Sequence, residues 1–431
     1  MKKIIRYGGA VTGLSEERAI IKSIRKSRKT RNWQQTEEGA LLEKKLSQYL
    51  NVKYSILTNS GSSAGLLALS ALELPKGSEV IISAVTFPTI FNIIIQCGCI
   101  PVVVDAKVGT YGFDIDDVKK AITKKTRVII AIHPLGNPVD MPALMRLVKE
   151  YDKERECPYC KDLVVGCNNC NNTRKLDKQK IYVLEDCCDS LSSTINGKQT
   201  GSFGDISITS FHAAHIVSMG VGGGVFTSSK DIAQRVRMYR DWGRQADINK
   251  SENLKHKTLP KDYNPRFIYE KIGYNFQILE LQAAMGRVQL RKTAQIKATR
   301  KKNFDYLVKH LSKHDDLIMP ITIKGADVCW FAFPITVNVG RNRGELLRHL
   351  EKNGIETRPM FSGQILAHPA YSHLVEGVDY RKLDLSGAEI ITKQSFWVSV
   401  HPSLTLGDLR YIIKIFDDFF SRKIKSKKKK A

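Results

Sequence analysis

Short apolar runs recur through the first half of the chain, and helix-length stretches separate them. Tyr54-Ser55-Ile56-Leu57-Thr58, residues 80–83, 101–105 and 127–132, and Tyr182–Asp186 each read as a short buried strand. Helical stretches fall between them, an apolar one at 66–72 and others at 115–123 and 141–150. A strand that is apolar on both faces needs cover on both faces, and helices in the intervening segments supply it. The pattern predicts an α/β fold with a mostly parallel central sheet and flanking helices. Ahead of it, residues 14–50 read as amphipathic helices, the first starting near Ser15-Glu16-Glu17.

The pattern changes at 277. Residues 277–290 and the stretch to about 313 read as long helices. A run at 330–337, a helix at 343–353, a run at 396–400 and a helix at 405–420 then predict a smaller α+β domain. The expected organisation is a large α/β domain over 1–290 with a cysteine-rich insert at 151–180, a small domain over 291–420, and a solvated, disordered basic tail over 421–431.

Of 431 residues, 42% are apolar and 26% charged, which excludes wholesale disorder. The formal net charge of +25 points to anionic partners or to a lysine-rich host composition. Seven basic residues lie in 422–430 and seven more in 18–31, so the charge is not one patch. No helix-turn-helix, zinc-finger or RNA-recognition signature accompanies it, so no nucleic-acid partner is expected. No run of 18 apolar residues suggests a membrane span, and the first nine residues lack the apolar core of a signal peptide. The nine cysteines are an odd number with two crowded pairs, Cys97/Cys99 and Cys187/Cys188, which suits a reducing cytoplasm.

Four separated motifs fit one ligand. Ser60-Gly61-Ser62-Ser63-Ala64 is a small-residue turn opening a helix, suited to a phosphate. Leu184-Glu185-Asp186-Cys187-Cys188-Asp189 puts carboxylates at the C-terminal end of a buried strand, where ligands of open α/β sheets sit. Ser210-Phe211-His212-Ala213-Ala214-His215 presents a histidine after a strand, and Gly220-Val221-Gly222-Gly223-Gly224 lets backbone approach closely. Gly273-Tyr274-Asn275-Phe276-Gln277 is the fourth. Each alone has an ordinary structural reading: a helix cap, a strand-end cap, a turn.

Together and in this order they resemble the DegT-type sugar aminotransferases, enzymes of pyridoxal phosphate with the fold-type I architecture, from about residue 8 to 418. The resemblance implies that Gly61, Ser62 and Ser63 cradle the cofactor phosphate with Ser210, and that Phe87 stacks on the pyridine ring. It implies that Asp186 pairs with the ring nitrogen and that Asp189 lies near the ring hydroxyl. It implies that Asn275 reaches the phosphate of a second subunit, hence a homodimer with shared active sites. Arg244 and Arg358 are candidates for substrate phosphate or sugar oxygens. His133, His212, His368 and His401 are given no role.

The chain departs from the aminotransferases at His215, where they carry the lysine that bonds covalently to the cofactor. Imidazole cannot make that bond, but it can act as a general base. The swap, with Leu135-Gly136-Asn137-Pro138, Asp241-Trp242-Gly243-Arg244 and Cys329-Trp330-Phe331, resembles the branch of CDP-4-keto-6-deoxyglucose 3-dehydrase and GDP-4-keto-6-deoxymannose 3-dehydratase. The branch implies a pyridoxal or pyridoxamine phosphate held non-covalently and loss of the C3 hydroxyl from a nucleotide-linked 4-keto-6-deoxyhexose. An ordinary aminotransferase, which needs lysine at 215, and a non-catalytic cofactor binder are the competing readings. The CDP-sugar branch uses a [2Fe–2S] cluster fed by a reductase, with cysteines just after Asp-Trp-Gly-Arg. Here Gln245-Ala246-Asp247-Ile248-Asn249-Lys250 follows, so those ligands are missing. The GDP-sugar branch uses glutamate as amino donor and needs no metal.

The insert carries Cys157-Pro158-Tyr159-Cys160 and Cys167-Asn168-Asn169-Cys170. Four thiolates in two knuckles suit a structural tetrahedral Zn²⁺, with an iron–sulfur centre or free thiols as alternatives.

Overall fold

The computed structural model describes residues 4–155, 180–244, 259–260, 263–264 and 267–428. Cys157, Cys160, Cys167 and Cys170 lie outside the described residues, as does 245–250. Helices α1 (Leu14–Thr30) and α2 (Glu37–Leu50) lead into the expected alternation. It runs β1 (Tyr54–Thr58), α3 (Gly61–Ser70), β2 (Glu79–Ser83), α4 (Pro88–Gln96), β3 (Ile100–Val104), α5 (Ile115–Ala121), β4 (Thr126–Ile132), α6 (Met141–Arg155) and β5 (Tyr182–Asp186). A small hairpin, β6 (Thr194–Ile195) and β7 (Lys198–Gln199), precedes β8 (Ile206–Ser210), β9 (Gly223–Thr227) and α7 (Lys230–Arg240).

The central sheet has eight strands in the order β1-β9-β8-β5-β4-β2-β3-β13, where β13 is Arg381–Lys382. β9 runs antiparallel to both neighbours, and every other pairing is parallel. Alternation along each strand divides its apolar residues between two cores. Ile82, Val103, Ile130, Leu184 and Ile208 pack with the apolar faces of α3 and α4. Ile81, Val102, Val104, Ile129 and Val183 pack with α5 and α6 on the other side. This double burial explains why the strands read as continuous apolar runs.

The second half has α8 (Glu280–Leu290), α9 (Thr293–Leu311), β10 (Leu317–Ile318), β11 (Ala326–Asp327), β12 (Ala332–Val337), α10 (Arg343–Lys352), α11 (Ser386–Gln394), β14 (Ser395–Ser399) and α12 (Leu406–Lys428). β10, β12 and β14 form an antiparallel sheet over a core that includes Phe304 stacked on Trp330 at 4.0 Å.

The structure revises three expectations. The two domains interleave: Met360, Ile365, Tyr371, Leu385 and Ile391 join the large core, while Ile5 pairs with Ile355 and joins the small one. The segment between α10 and α11 follows the apolar surface left beside β3, where β13 adds the last strand. The expected disordered tail is helical as far as Lys428: beyond Gly407 in its first turn, α12 meets no glycine or proline, and lysine and arginine are good helix formers. The helix expected from 277 begins at Glu280, since Gln277 turns outward to donate from Nε2 to Asp241 Oδ1 at 2.8 Å. Among the described residues, no helix is long and apolar enough to cross a membrane.

Candidate active site

A cleft of about 690 Å³ opens at the C-terminal ends of β4, β5 and β8, where an open α/β sheet binds ligands. Backbone builds one end of it. Ser60 caps α3, its Oγ accepting from the Ser63 N–H at 3.0 Å and donating to Ser63 Oγ at 2.9 Å. The first-turn amides of Gly61 and Ser62 have no acceptor within the helix and point to the cleft side, at the positive end of its dipole. Ser62 Oγ donates to Thr89 Oγ1 at 3.2 Å. The helix start lies tight on β8 and β9. A Cβ on Gly61 would stand 2.7 Å from Ser210 Cβ, and one on Gly223 would stand 2.3 Å from the Ser60 carbonyl oxygen. Ser210 is thereby brought beside the capped turn.

Side chains build the other end. Phe211 N–H donates to Gly222 O at 2.8 Å and Met219 N–H to Phe211 O at 2.9 Å, which pins the loop after β8 at its neck. Phe211, Val217 and Met219 bury themselves beneath it. The loop holds His215 at the cleft, its ring 5.6 Å from Phe331 and 6.1 Å from His212. His215 Nδ1 lies 3.3 Å from Asp189 Oδ1, without the alignment of a hydrogen bond, and both Nδ1 and Asp189 Oδ2 are buried without a partner. Burial and the neighbouring His215 push His212 below its ordinary value.

Asp186 ends β5 and is only 6% exposed. Its Oδ1 accepts from the Cys188 N–H at 3.0 Å, yet burial pushes the carboxyl above the ordinary range. A cationic ring N–H placed against it would relieve that cost. The next carboxylate, Glu185, faces the opposite side of the sheet and accepts from the amides of Gly201, Phe203 and Gly204 at 2.7–2.8 Å. His133 Nδ1 accepts from Val139 N–H at 3.2 Å, so Nε2 carries the proton and faces Glu185 Oε2 at 3.4 Å. Glu185, His133 and Cys187 lie close enough to hold a metal, but the first two are committed to hydrogen bonds and burial pushes the Cys187 thiol well up. This cluster braces β4 against β5.

The cleft brings together Gly61, Ser62, Phe87, Asp186, Asp189, Ser210, His215 and Arg358. Phe87 is 56% exposed for so large a ring, consistent with a stacking surface. Ser63 serves the capping network just behind the wall. Asn275 lies apart from the cleft, exposed and bridged to Asp241. Arg244 also lies apart, over the rings of Trp242, Phe267 and Tyr269. Among the described residues, no lysine lines the cleft.

The sequence reading missed Tyr7, Phe331 and Trp397, which close the cleft from the small-domain side. Arg358 sits over the Tyr7 ring at 4.1 Å. Phe331 N–H donates to Leu135 O at 2.9 Å. Gly136, at φ +93°, permits this docking, because a Cβ there would stand 2.3 Å from the Cys329 carbonyl oxygen. His133, His212 and His368 also line the cleft, having been given no role.

Comparison with known proteins identifies the family. The model of the DegT/DnrJ/EryC1/StrS aminotransferase family matches residues 15–153 and 168–417. The lipopolysaccharide biosynthesis protein RfbH of Salmonella typhimurium is 35% identical over 88% of this chain and 84% of its own length. The dTDP-4-dehydro-2,6-dideoxy-D-glucose 3-dehydratase of Saccharopolyspora spinosa is 34% identical over 88% of this chain and 79% of its own. In fold, the chain superimposes on the E. coli GDP-4-keto-6-deoxy-D-mannose-3-dehydratase solved with hydrated PLP, with a TM-score of 0.79, 24% identity, and coverage of 96% of this chain and 100% of that one. A match that runs through both domains and leaves out only the two ends and 154–167 settles the kinship: the chain belongs to the DegT/DnrJ/EryC1/StrS aminotransferase family.

Proposed function

We propose that the protein is a pyridoxamine phosphate-dependent nucleotide-sugar 3-dehydratase. It removes the C3 hydroxyl of a nucleotide-linked 4-keto-6-deoxyhexose on the way to a 3,6-dideoxysugar of the lipopolysaccharide O-antigen type. The observation that carries this reading is His215 in a cleft that no lysine lines among the described residues, at the position where the family's aminotransferases carry one. The cleft fits the cofactor on its own terms. The amides of Gly61 and Ser62 with Ser210 suit its phosphate, the exposed Phe87 ring its planar face, and the costly buried carboxyl of Asp186 its ring N–H.

When bound, the cofactor supplies an amine for the C4 ketone and a ring that accepts an electron pair. Asp186 keeps the ring nitrogen protonated and so keeps that acceptor strong. With the cofactor held there, His215 Nε2 would be the base for the proton on the carbon bearing the amine, and the chemistry supplied would be release of the C3 hydroxyl. Without lysine, phosphate and ring contacts alone retain the cofactor. Arg358 at the mouth suits the diphosphate of the nucleotide or a sugar oxygen, with Arg244 a more distant candidate.

Four finer readings accompany this. Asn275, exposed on its own subunit, reaches the cofactor phosphate of a second copy in a homodimer. The four insert cysteines hold one structural Zn²⁺, and metal analysis of the purified chain checks this by finding about one zinc per chain. The enzyme works in a reducing cytoplasm, in keeping with Cys97, Cys99, Cys187, Cys188 and Cys329 all being free. Glutamate, and not a reductase, restores the amine. The test is steady-state turnover of a CDP- or GDP-4-keto-6-deoxyhexose with pyridoxal phosphate, with and without glutamate. Sustained C3 deoxygenation only with glutamate is expected. No turnover with either sugar under either condition would overturn the reading.

A further inference from the structure

We infer that Asp189 is the positioning residue of His215: it holds the proton on Nδ1, so that the ring turns an unprotonated Nε2 to the cleft. This rests on the base role of His215 proposed above. The sequence expectation placed Asp189 at the cofactor ring hydroxyl. Geometry gives one of its oxygens another partner. Asp189 Oδ1 is 3.3 Å from His215 Nδ1, and the Asp189 side chain is only 8% exposed. Nδ1 is buried while the ring as a whole keeps 17% of its surface, so its accessible edge is the one that carries Nε2. Catalytic hydrogen bonds are often long before substrate arrives and tighten in the complex.

What lies behind Asp189 supports its being an anion. Arg300 is 2% exposed, and among the described residues it has no carboxylate in ion-pair contact and its Nε has no partner. Its Nη1 donates to the carbonyls of Phe331 at 2.6 Å and Trp330 at 3.3 Å. Its guanidinium lies 5.7 Å from the Phe331 ring, which in turn packs on His215. Burial lowers the Arg300 pKa to about 10, and the charges that work against this are those of Cys329 and Asp189. The Cys329 thiol is itself pushed to about 11 and is neutral at physiological pH, which leaves Asp189 as the counter-charge. A buried cation without a close anion is costly, and an ionised Asp189 offsets that cost. Asp189 and His215 thus line the cleft with Arg300 buried behind Phe331, and the three carry orphaned polar atoms, Oδ2, Nδ1 and Nε respectively. An ionised carboxylate can only accept, so the imidazole nitrogen facing it must donate. The remaining ring nitrogen is then the acceptor that a proton-abstracting base requires.

The test reads the tautomer directly, with neither cofactor nor substrate present. The full chain labelled with ¹⁵N-histidine is studied by NMR at alkaline pH, where imidazole is neutral, and the His215 signal is assigned by its absence in His215→Asn. Protonation at Nδ1 is expected. In Asp189→Asn the amide can donate, and the proton should move to Nε2. The same swap should lower kcat at least about 100-fold with KM nearly unchanged. In the serine-protease triad the corresponding change lowers kcat about 10⁴-fold by trapping the wrong tautomer. Nε2 protonation in the unaltered chain overturns the inference, as does an unchanged tautomer in folded Asp189→Asn. Should that variant fail to fold, the tautomer of the unaltered chain decides. Nδ1 protonation in a chain that deoxygenates no sugar would leave the inference standing and remove the proposed reaction instead.

Discussion

The two ends of the cleft are made of different material. The phosphate end is backbone: amides at the start of α3, locked by the Ser60 cap and pressed against Gly223. Its side chains are tied up in the cap, its free amides await an anion, and its tolerances are steric. The base end is side chain: His215, Asp189 and Arg300 carry buried polar atoms without partners. Its loop is pinned by backbone, but its chemistry rests on side chains that are not interchangeable. A family can therefore keep the first end while altering the second, and so change what a bound cofactor does without changing how it is bound. The departure from the aminotransferases that the sequence resemblance implies, histidine for lysine at 215, falls at the side-chain end.

That contrast can be broken experimentally. The largest effect is expected at the base. His215→Asn should cut turnover by about 10²–10⁴-fold, the usual worth of general-base help, while cofactor affinity measured by absorbance titration stays within about twofold. Loss of cofactor binding in that variant would mean the two ends are not separable. Gly223→Ala should do the reverse. Its Cβ would meet the Ser60 carbonyl at 2.3 Å, backbone against backbone, and overpacking of this kind costs about 1–3 kcal/mol. Lower thermal stability and weaker cofactor binding are expected together, and unchanged binding would remove the cradle from that turn. Ser60→Ala deletes the cap alone and should cost about 1 kcal/mol in chemical denaturation. The smallest effect is that of Asp186→Asn on the cofactor-free protein. Burial raises the Asp186 pKa in the folded state, so its stabilising contribution is present at acid pH and is lost as pH rises through the raised value. At neutral pH the asparagine variant should be slightly more stable without cofactor and should bind cofactor more weakly. Reduced stability at neutral pH would show that the carboxylate is not strained.

The phosphate turn, Asp186 and His215 were legible in the sequence because each follows a short apolar run that can only be a buried strand. Residues at such strand ends have little freedom of position. The start of α3 was misread by five residues: periodicity reports the buried face from Leu66, whereas the helix begins at the polar turn that Ser60 caps. Tyr7, Phe331 and Trp397 left no local signal. They reach the cleft through interleaved domains, by way of the Ile5–Ile355 pairing, the opening at Gly136 and the edge of β14. β13 is two residues long, too short for any periodicity to show. The partnership of Asp189 with His215 spans two loops and became visible only as a distance.

The measurement that bears most directly on the account is a single turnover of protein loaded with pyridoxamine phosphate, given a CDP- or GDP-4-keto-6-deoxyhexose and no other reagent. The sugar product is then identified by mass and NMR. The account predicts that the C3 oxygen is lost. A product that keeps its C3 hydroxyl and gains an amino group at C4 would contradict it, because the cleft would then transaminate without a lysine.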